Sequence, residues 1–111
     1  MFDGYGGMIG QVDAGETAFV HRNAVACAQC SITYPSAPPT PSAVTKASAW
    51  LDSVHRIFAP VALGSYQNYI DPTLADWQQA YYGTNLPRLR QVKRNYDADN
   101  VFHFAQSIPP A

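Results

Sequence analysis

The chain has 111 residues, of which 47% are hydrophobic and 14% charged, and its net charge is −1 with the three histidines neutral. That length predicts a single domain over residues 1–111 around one core, and so weak a field excludes a surface built to gather nucleic acid or an anionic membrane. No apolar run approaches the roughly 20 residues a transmembrane helix needs, and the opening MFDGYGGMIG lacks the basic start and apolar centre of a signal peptide, so a cytoplasmic chain is expected.

Residues 1–12 alternate weakly, with Met8, Ile9 and Val12 apolar among glycines, and predict a first strand. Asp13-Ala14-Gly15-Glu16 is turn chemistry. Thr17 to Arg22 then predicts a second strand, with Ala18, Val20 and Arg22 on one side and Thr17, Phe19 and His21 on the other, closing a hairpin. The small, apolar segment 24–34 predicts a third strand, more buried than the others.

Residues 35–41, PSAPPTP, carry four prolines in seven positions and must form a stiff loop, because proline suits neither a helix interior nor a ladder. Thr40-Pro41 is a good helix start, a cap followed by proline. Val44, Ala47, Trp50, Leu51, Val54, Ile57 and Phe58 recur with the i, i+3, i+4, i+7 spacing of an amphipathic helix, which should stop before Pro60. Its bulk reads as core filling for a sheet surface.

Ser65 to Ile70 predicts a fourth strand, in which alternation puts Tyr66 and Asn68 on one face and Gln67 and Tyr69 on the other. Asp71-Pro72 can end it and open a short helix with Leu74, Trp77 and Tyr81 on one side. Gly83 suits a left-handed stop. A further helix from Asn85 turns Leu86, Leu89 and Val92 inward, and the tail 100–108 alternates again. The predicted fold class is therefore α+β, a small antiparallel sheet of three to four strands with helices packed on one face.

The constellations that carry chemistry are few. Cys27-Ala28-Gln29-Cys30 is a CxxC, but no second pair accompanies it, and in an extended strand the two thiols would face opposite sides. Two reduced cysteines are expected, and no metal site. His21, His55 and His103 have no acid at catalytic spacing; His21 could face a pocket or serve structure. Arg88, Arg90, Lys93 and Arg94 cluster on one helix, a solvated face or a phosphate or partner patch. No nucleophile elbow or phosphate-cradling glycine loop is present. Tyr66 with Asn68 remains: spacing alone reads them as an amphipathic sheet residue and a turn former.

A larger pattern surrounds that pair. The order Tyr66-Gln67-Asn68-Tyr69, Asp71-Pro72, Tyr81-Tyr82-Gly83, Asn85, Pro87-Arg88-Leu89, Val92-Lys93, Asp97, Asp99-Asn100-Val101-Phe102 and Gln106-Ser107-Ile108 resembles the C-terminal end of the berberine bridge enzyme-like, FAD-linked oxidoreductases. Gly4-Tyr5-Gly6-Gly7 and Thr17-Ala18-Phe19-Val20-His21-Arg22 are similar to a late strand pair of the same family's substrate domain. The resemblance departs at Ala98, where a proline is common.

It implies an antiparallel sheet backed by helices, lying over a flavin. FAD belongs to the parent architecture, carried by a large N-terminal domain with His and Cys attachment sites, so this chain alone is expected to bind none and to be catalytically silent. In an assembled enzyme Tyr66 would be the catalytic base, with Asn68, Tyr69 and Asn100 near substrate or flavin. Since a phenol has a pKa of about 10, base work at neutral pH requires a stabilised phenolate. The implied partners are a small hydroxylated substrate and either a separate FAD-binding chain or a second copy paired through the exposed sheet edge. A non-catalytic, self-associating binding module, the remnant of a truncated flavoenzyme gene, is the alternative.

Overall fold

A computed structural model describes residues 1–35 and 37–111. The proline-rich loop predicted over 35–41 lies outside the described residues at Ser36. Two strands, β1 (Phe2–Gly4) and β2 (Ala26–Ala28), form an antiparallel pair, followed by helices α1 (Pro41–Phe58), α2 (Trp77–Tyr82) and α3 (Leu86–Tyr96). Short 3-10 helices occupy Gly7–Gln11 and Gly83–Asn85. The chain divides into two compact units, residues 1–3 with 28–62 and residues 4–27 with 63–111, and the boundary falls within both strands.

The α+β class is as predicted, but the described residues hold two strands where three to four were expected. Glycine is the reason at the start: Gly7 takes a positive φ of 54°, which turns the chain out of β1 into a 3-10 helix after only three strand residues. The Asp13–Glu16 turn forms, with Glu16 N–H donating to Asp13 O at 3.1 Å, but no ladder flanks it. Residues 17–22 instead curl on themselves, Arg22 N–H donating to Val20 O at 2.8 Å, and a short strand without a paired neighbour has nothing to hold it extended.

In the first unit, α1 follows its sequence signals closely. Thr40 Oγ1 accepts from Ala43 N–H at 3.3 Å, Pro41 occupies the first turn, and Ala59 closes the helix just before Pro60. Of its apolar stripe only Ala47 is buried; Phe58 meets Phe2 edge-on at 6.3 Å, while Ile57 is 72% exposed.

The second unit has its core at α2, where Trp77, Tyr81 and Tyr82 form an aromatic cluster and Tyr81 is 0% exposed. Tyr81 Oη accepts from Asp71 N–H at 2.9 Å and bonds Gln106 Oε1 at 3.1 Å, while Gln106 Nε2 donates to Asp71 O at 2.8 Å. A buried phenol and a buried carboxamide thus satisfy one another and the loop that follows residue 70. Gly83 ends α2 with a φ of 48°, as its sequence position predicts. Asn85 then precedes α3, and its Nδ2 reaches back to Ala14 O at 2.6 Å and Thr17 O at 3.1 Å, pinning the 13–17 turn.

Candidate functional site

The predicted strand at 65–70 is a turn, and this correction defines the site. Ser65 N–H donates to Ala80 O at 2.9 Å, and Tyr69 N–H donates to Tyr66 O at 3.0 Å, so the backbone reverses over 66–69. A turn brings positions i and i+3 together where a strand would separate them. Tyr69 therefore joins Tyr66, their rings edge-to-face at 5.1 Å and 87°, and does not project from the opposite face. Asn68 Nδ2 donates to Tyr66 Oη at 2.8 Å. The expected phenol–carboxamide pair exists, reached by a different backbone.

This geometry depends on Gly64. A Cβ there would stand 2.6 Å from both Ala80 O and His21 Cε1, so no other residue lets the chain enter the turn this closely. Asp71 then closes the far side without opening the helix predicted there: its Oδ1 accepts from Thr73 N–H at 2.9 Å and from Thr73 Oγ1 at 2.6 Å, an Asx turn that uses the same oxygen a cap would. The helix waits until Trp77.

Behind Tyr66 lies a second layer that sequence reasoning missed. Phe19 sits edge-to-face with Tyr66 at 6.0 Å, with His21 at 5.5 Å and with Tyr5 at 5.4 Å. The Arg22 guanidinium covers its ring at 4.9 Å. Four aromatic or basic residues within Tyr5–Arg22 were a visible signal, but nothing local said that they converge on residue 66.

Asn100 is placed elsewhere in the unit's hydrogen bonding. It takes a left-handed φ of 52°, which Asn tolerates better than most residues, in the turn after α3. Asp97 holds that turn, accepting from Val101 N–H at 2.7 Å and Phe102 N–H at 3.1 Å as well as from Lys93 Nζ. The Lys93 ammonium and those backbone donors keep the Asp97 carboxyl below the usual carboxylate range. Asn100 Oδ1 is buried without a hydrogen-bond partner. No contact joins it to Tyr66, Asn68 or Tyr69 among those described.

His21 does line a cleft of about 260 Å³, with Leu63, Gln79 and Thr84 among its neighbours. Burial lowers its pKa from the ordinary value, against backbone groups of Ser65 and Tyr81 that raise it. Burial likewise pushes the Tyr82 phenol up, with Tyr81 adding to the effect. The basic helix face is partly committed to holding loops: Arg88 Nη1 donates to Gly15 O at 2.8 Å and Arg90 Nη2 to Pro110 O at 3.3 Å. Cys27 and Cys30 are both free thiols. Among the described residues no three His, Cys, Asp or Glu side chains gather as metal ligands, and no helix is long and apolar enough to cross a membrane.

Residues 65–109, which contain the Tyr66 turn, Asn100 and Gln106, match the family described as berberine and berberine like. The chain carries the berberine-like region of the FAD-linked oxidoreductases. An FAD-linked oxidoreductase of Bacillus subtilis is 35% identical over 105 residues, covering 95% of this chain and 22% of that protein. A carbohydrate oxidase of Microdochium nivale is 30% identical over 110 residues, covering 96% of this chain and 22% of its own length. Among solved structures, a glycopeptide hexose oxidase complexed with teicoplanin superposes with a TM-score of 0.74 at 32% identity, over 96% of this chain and 24% of that one. The chain thus spans under a quarter of the relatives it matches, and its α+β arrangement is shared with that hexose oxidase.

Proposed function

We propose that this chain supplies the substrate side of a flavin site in a berberine bridge enzyme-like oxidoreductase, with residues 1–111 acting as one substrate-domain portion. The observation that carries the reading is the Asn68 Nδ2 to Tyr66 Oη hydrogen bond of 2.8 Å, on a turn lying within the family match. With the amide donating to the phenol oxygen, the phenol keeps its own O–H for a substrate hydroxyl when it acts as hydrogen-bond partner, and the same amide would hold the deprotonated oxygen when it acts as base, the two roles we assign to Tyr66. Asn68 orients it, and Tyr69 offers a partly exposed ring beside it.

The residues fit a neighbour of the flavin and not a holder of the dinucleotide. A phenol, a carboxamide and an aromatic edge suit a planar ring and a hydroxylated substrate, whereas Arg88, Arg90 and Lys93 already bond Gly15 O, Pro110 O and Asp97. When bound, FAD accepts the electrons of an alcohol oxidation; the chain's own part is to bind, orient and receive or share the hydroxyl proton. Without the flavin-carrying portion the chain is read as silent. Asn100 keeps a flavin-proximal assignment only in that assembly, with its unpartnered Oδ1 in support.

The named relatives include a carbohydrate oxidase and a xylooligosaccharide oxidase, which favours a sugar hydroxyl as the small substrate. The two free cysteines accord with a cytoplasmic setting. The partner is a flavin-binding portion or, in a second reading, another copy of the chain. Val101, Phe102 and Phe104 are all exposed, which favours some covering surface.

The test combines the chain with a candidate FAD-binding portion and measures flavin-dependent oxidation of sugars. Tyr66→Phe should lower turnover by about a hundredfold or more without unfolding the chain. A stable homodimer that neither binds such a portion nor supports turnover would favour the second reading.

A further inference from the structure

Tyr66 sits in a turn and not in a ladder, so its ring must be aimed by its neighbours. Three are close: Asn68 at its hydroxyl, Tyr69 at 5.1 Å and Phe19 at 6.0 Å. Asn68 and Tyr69 belong to the same turn and move with it. They can shape the pair locally but cannot fix it relative to the rest of the unit.

Phe19 is different, because it is held from outside that turn. Arg22 lies over its ring at 4.9 Å, and the same guanidinium is fixed by Phe19 O at 3.1 Å, Ile9 O at 3.3 Å and Thr17 Oγ1 at 2.5 Å. Three directed donors leave that planar group little freedom. The ring beneath is further bounded by the edges of Tyr5 and His21. Phe19 therefore contacts both a fixed guanidinium and the Tyr66 ring.

We propose that Phe19 is a positioning residue for Tyr66, with Arg22 as the clamp that fixes Phe19 in place; this rests on the assignment of Tyr66 to the substrate site. Phe19 touches no reacting atom in this scheme. It restricts the tyrosine ring to the orientation in which its hydroxyl meets the Asn68 amide and points its remaining hydrogen-bonding capacity outward.

The experiment uses the full chain with ¹³C-labelled tyrosine, the Tyr66 signal being identified by its loss in Tyr66→Phe. Phe19→Leu keeps apolar bulk but removes the ring, and should shift the Tyr66 signal and raise its ring-flip rate by about two- to tenfold. Tyr81, buried in α2, should be unaffected, and Phe19→Tyr should restore the parent behaviour. Arg22→Met removes the clamp and should move Tyr66 in the same direction, which keeps the test decisive if the leucine variant fails to fold. An unchanged Tyr66 signal, or one that moves only together with Tyr81 in a general loosening, overturns the proposal. Should Tyr66→Phe leave flavin-dependent turnover intact while Phe19→Leu still frees the Tyr66 ring, the positioning stands and the catalytic assignment falls.

Discussion

Gly64 and His21 show how tightly single residues decide the Tyr66 turn. Adding one methyl at Gly64 forces it against the Ala80 carbonyl, which already accepts from Ser65 N–H, and against the His21 ring. Backbone cannot yield as a long side chain can. Gly64→Ala should therefore destabilise the chain by about 1–3 kcal/mol in urea unfolding, and should disturb Tyr66 more than α1. His21 provides a pH signature. Burial holds its folded-state pKa below the unfolded value of about 6.5, so in that window the unfolded chain binds more protons and stability rises with pH. The contribution is complete above about 6.5 and is lost as pH falls towards the folded value. Urea midpoints should drop between neutral and mildly acid pH, and His21→Asn should flatten that part of the curve. What the sequence concealed at this scale was convergence: Tyr66 and Asn68 stood out by type, but Phe19 and Gln106 act through partners 47 and 35 residues distant, which no local pattern encodes.

Helices were more legible in the sequence than strands, for a physical reason visible in each element: the predicted strands over 1–12 and 24–34 survive only as the three-residue β1 and β2, and those over 17–22 and 65–70 do not form. The start of α1 is written into Thr40 and Pro41, its face into the Val44–Phe58 spacing, and its end into Pro60. Helical hydrogen bonds are local, so local chemistry specifies them. A strand needs a neighbour. Residues 17–22 and 65–70 both alternate adequately, yet each folds into turns, because nothing among the described residues pairs with them. The same locality makes helix ends sharply testable. Thr40→Ala removes the only side-chain cap recorded on α1 and should cost about 1 kcal/mol, read as loss of helical signal on heating. Gly83→Ala places a side chain at a φ of 48°, 3.4 Å from Val20 Cγ2, and should cost about as much, with the change centred on α2.

At the scale of the molecule, few side chains are buried relative to the apolar residues present. Among the described residues Tyr81, Tyr82 and Ala47 make up the buried apolar set, with Tyr81 alone fully buried, while Phe102 is 81% exposed and Val101 69%. Dispersed apolar exposure is ordinary, but Val101, Phe102 and Phe104 are nearly consecutive and follow the well-tied Asp97 turn. Light scattering should find the chain associating as its concentration rises, and Phe102→Asp should reduce that association with little change in helix content. Adding the flavin-binding portion should compete with self-association if both use this surface.

The Tyr81–Gln106–Asp71 lock carries one more implication, for handling the protein in the laboratory. Gln106 lies near Ala111, yet it secures the carbonyl of Asp71, just beyond the Tyr66 turn. Digestion with a carboxypeptidase would first remove the Pro110 carbonyl that accepts from Arg90 and, on reaching Gln106, would release a loop far away along the chain. An affinity handle is accordingly safer appended after Ala111 than substituted for the final residues.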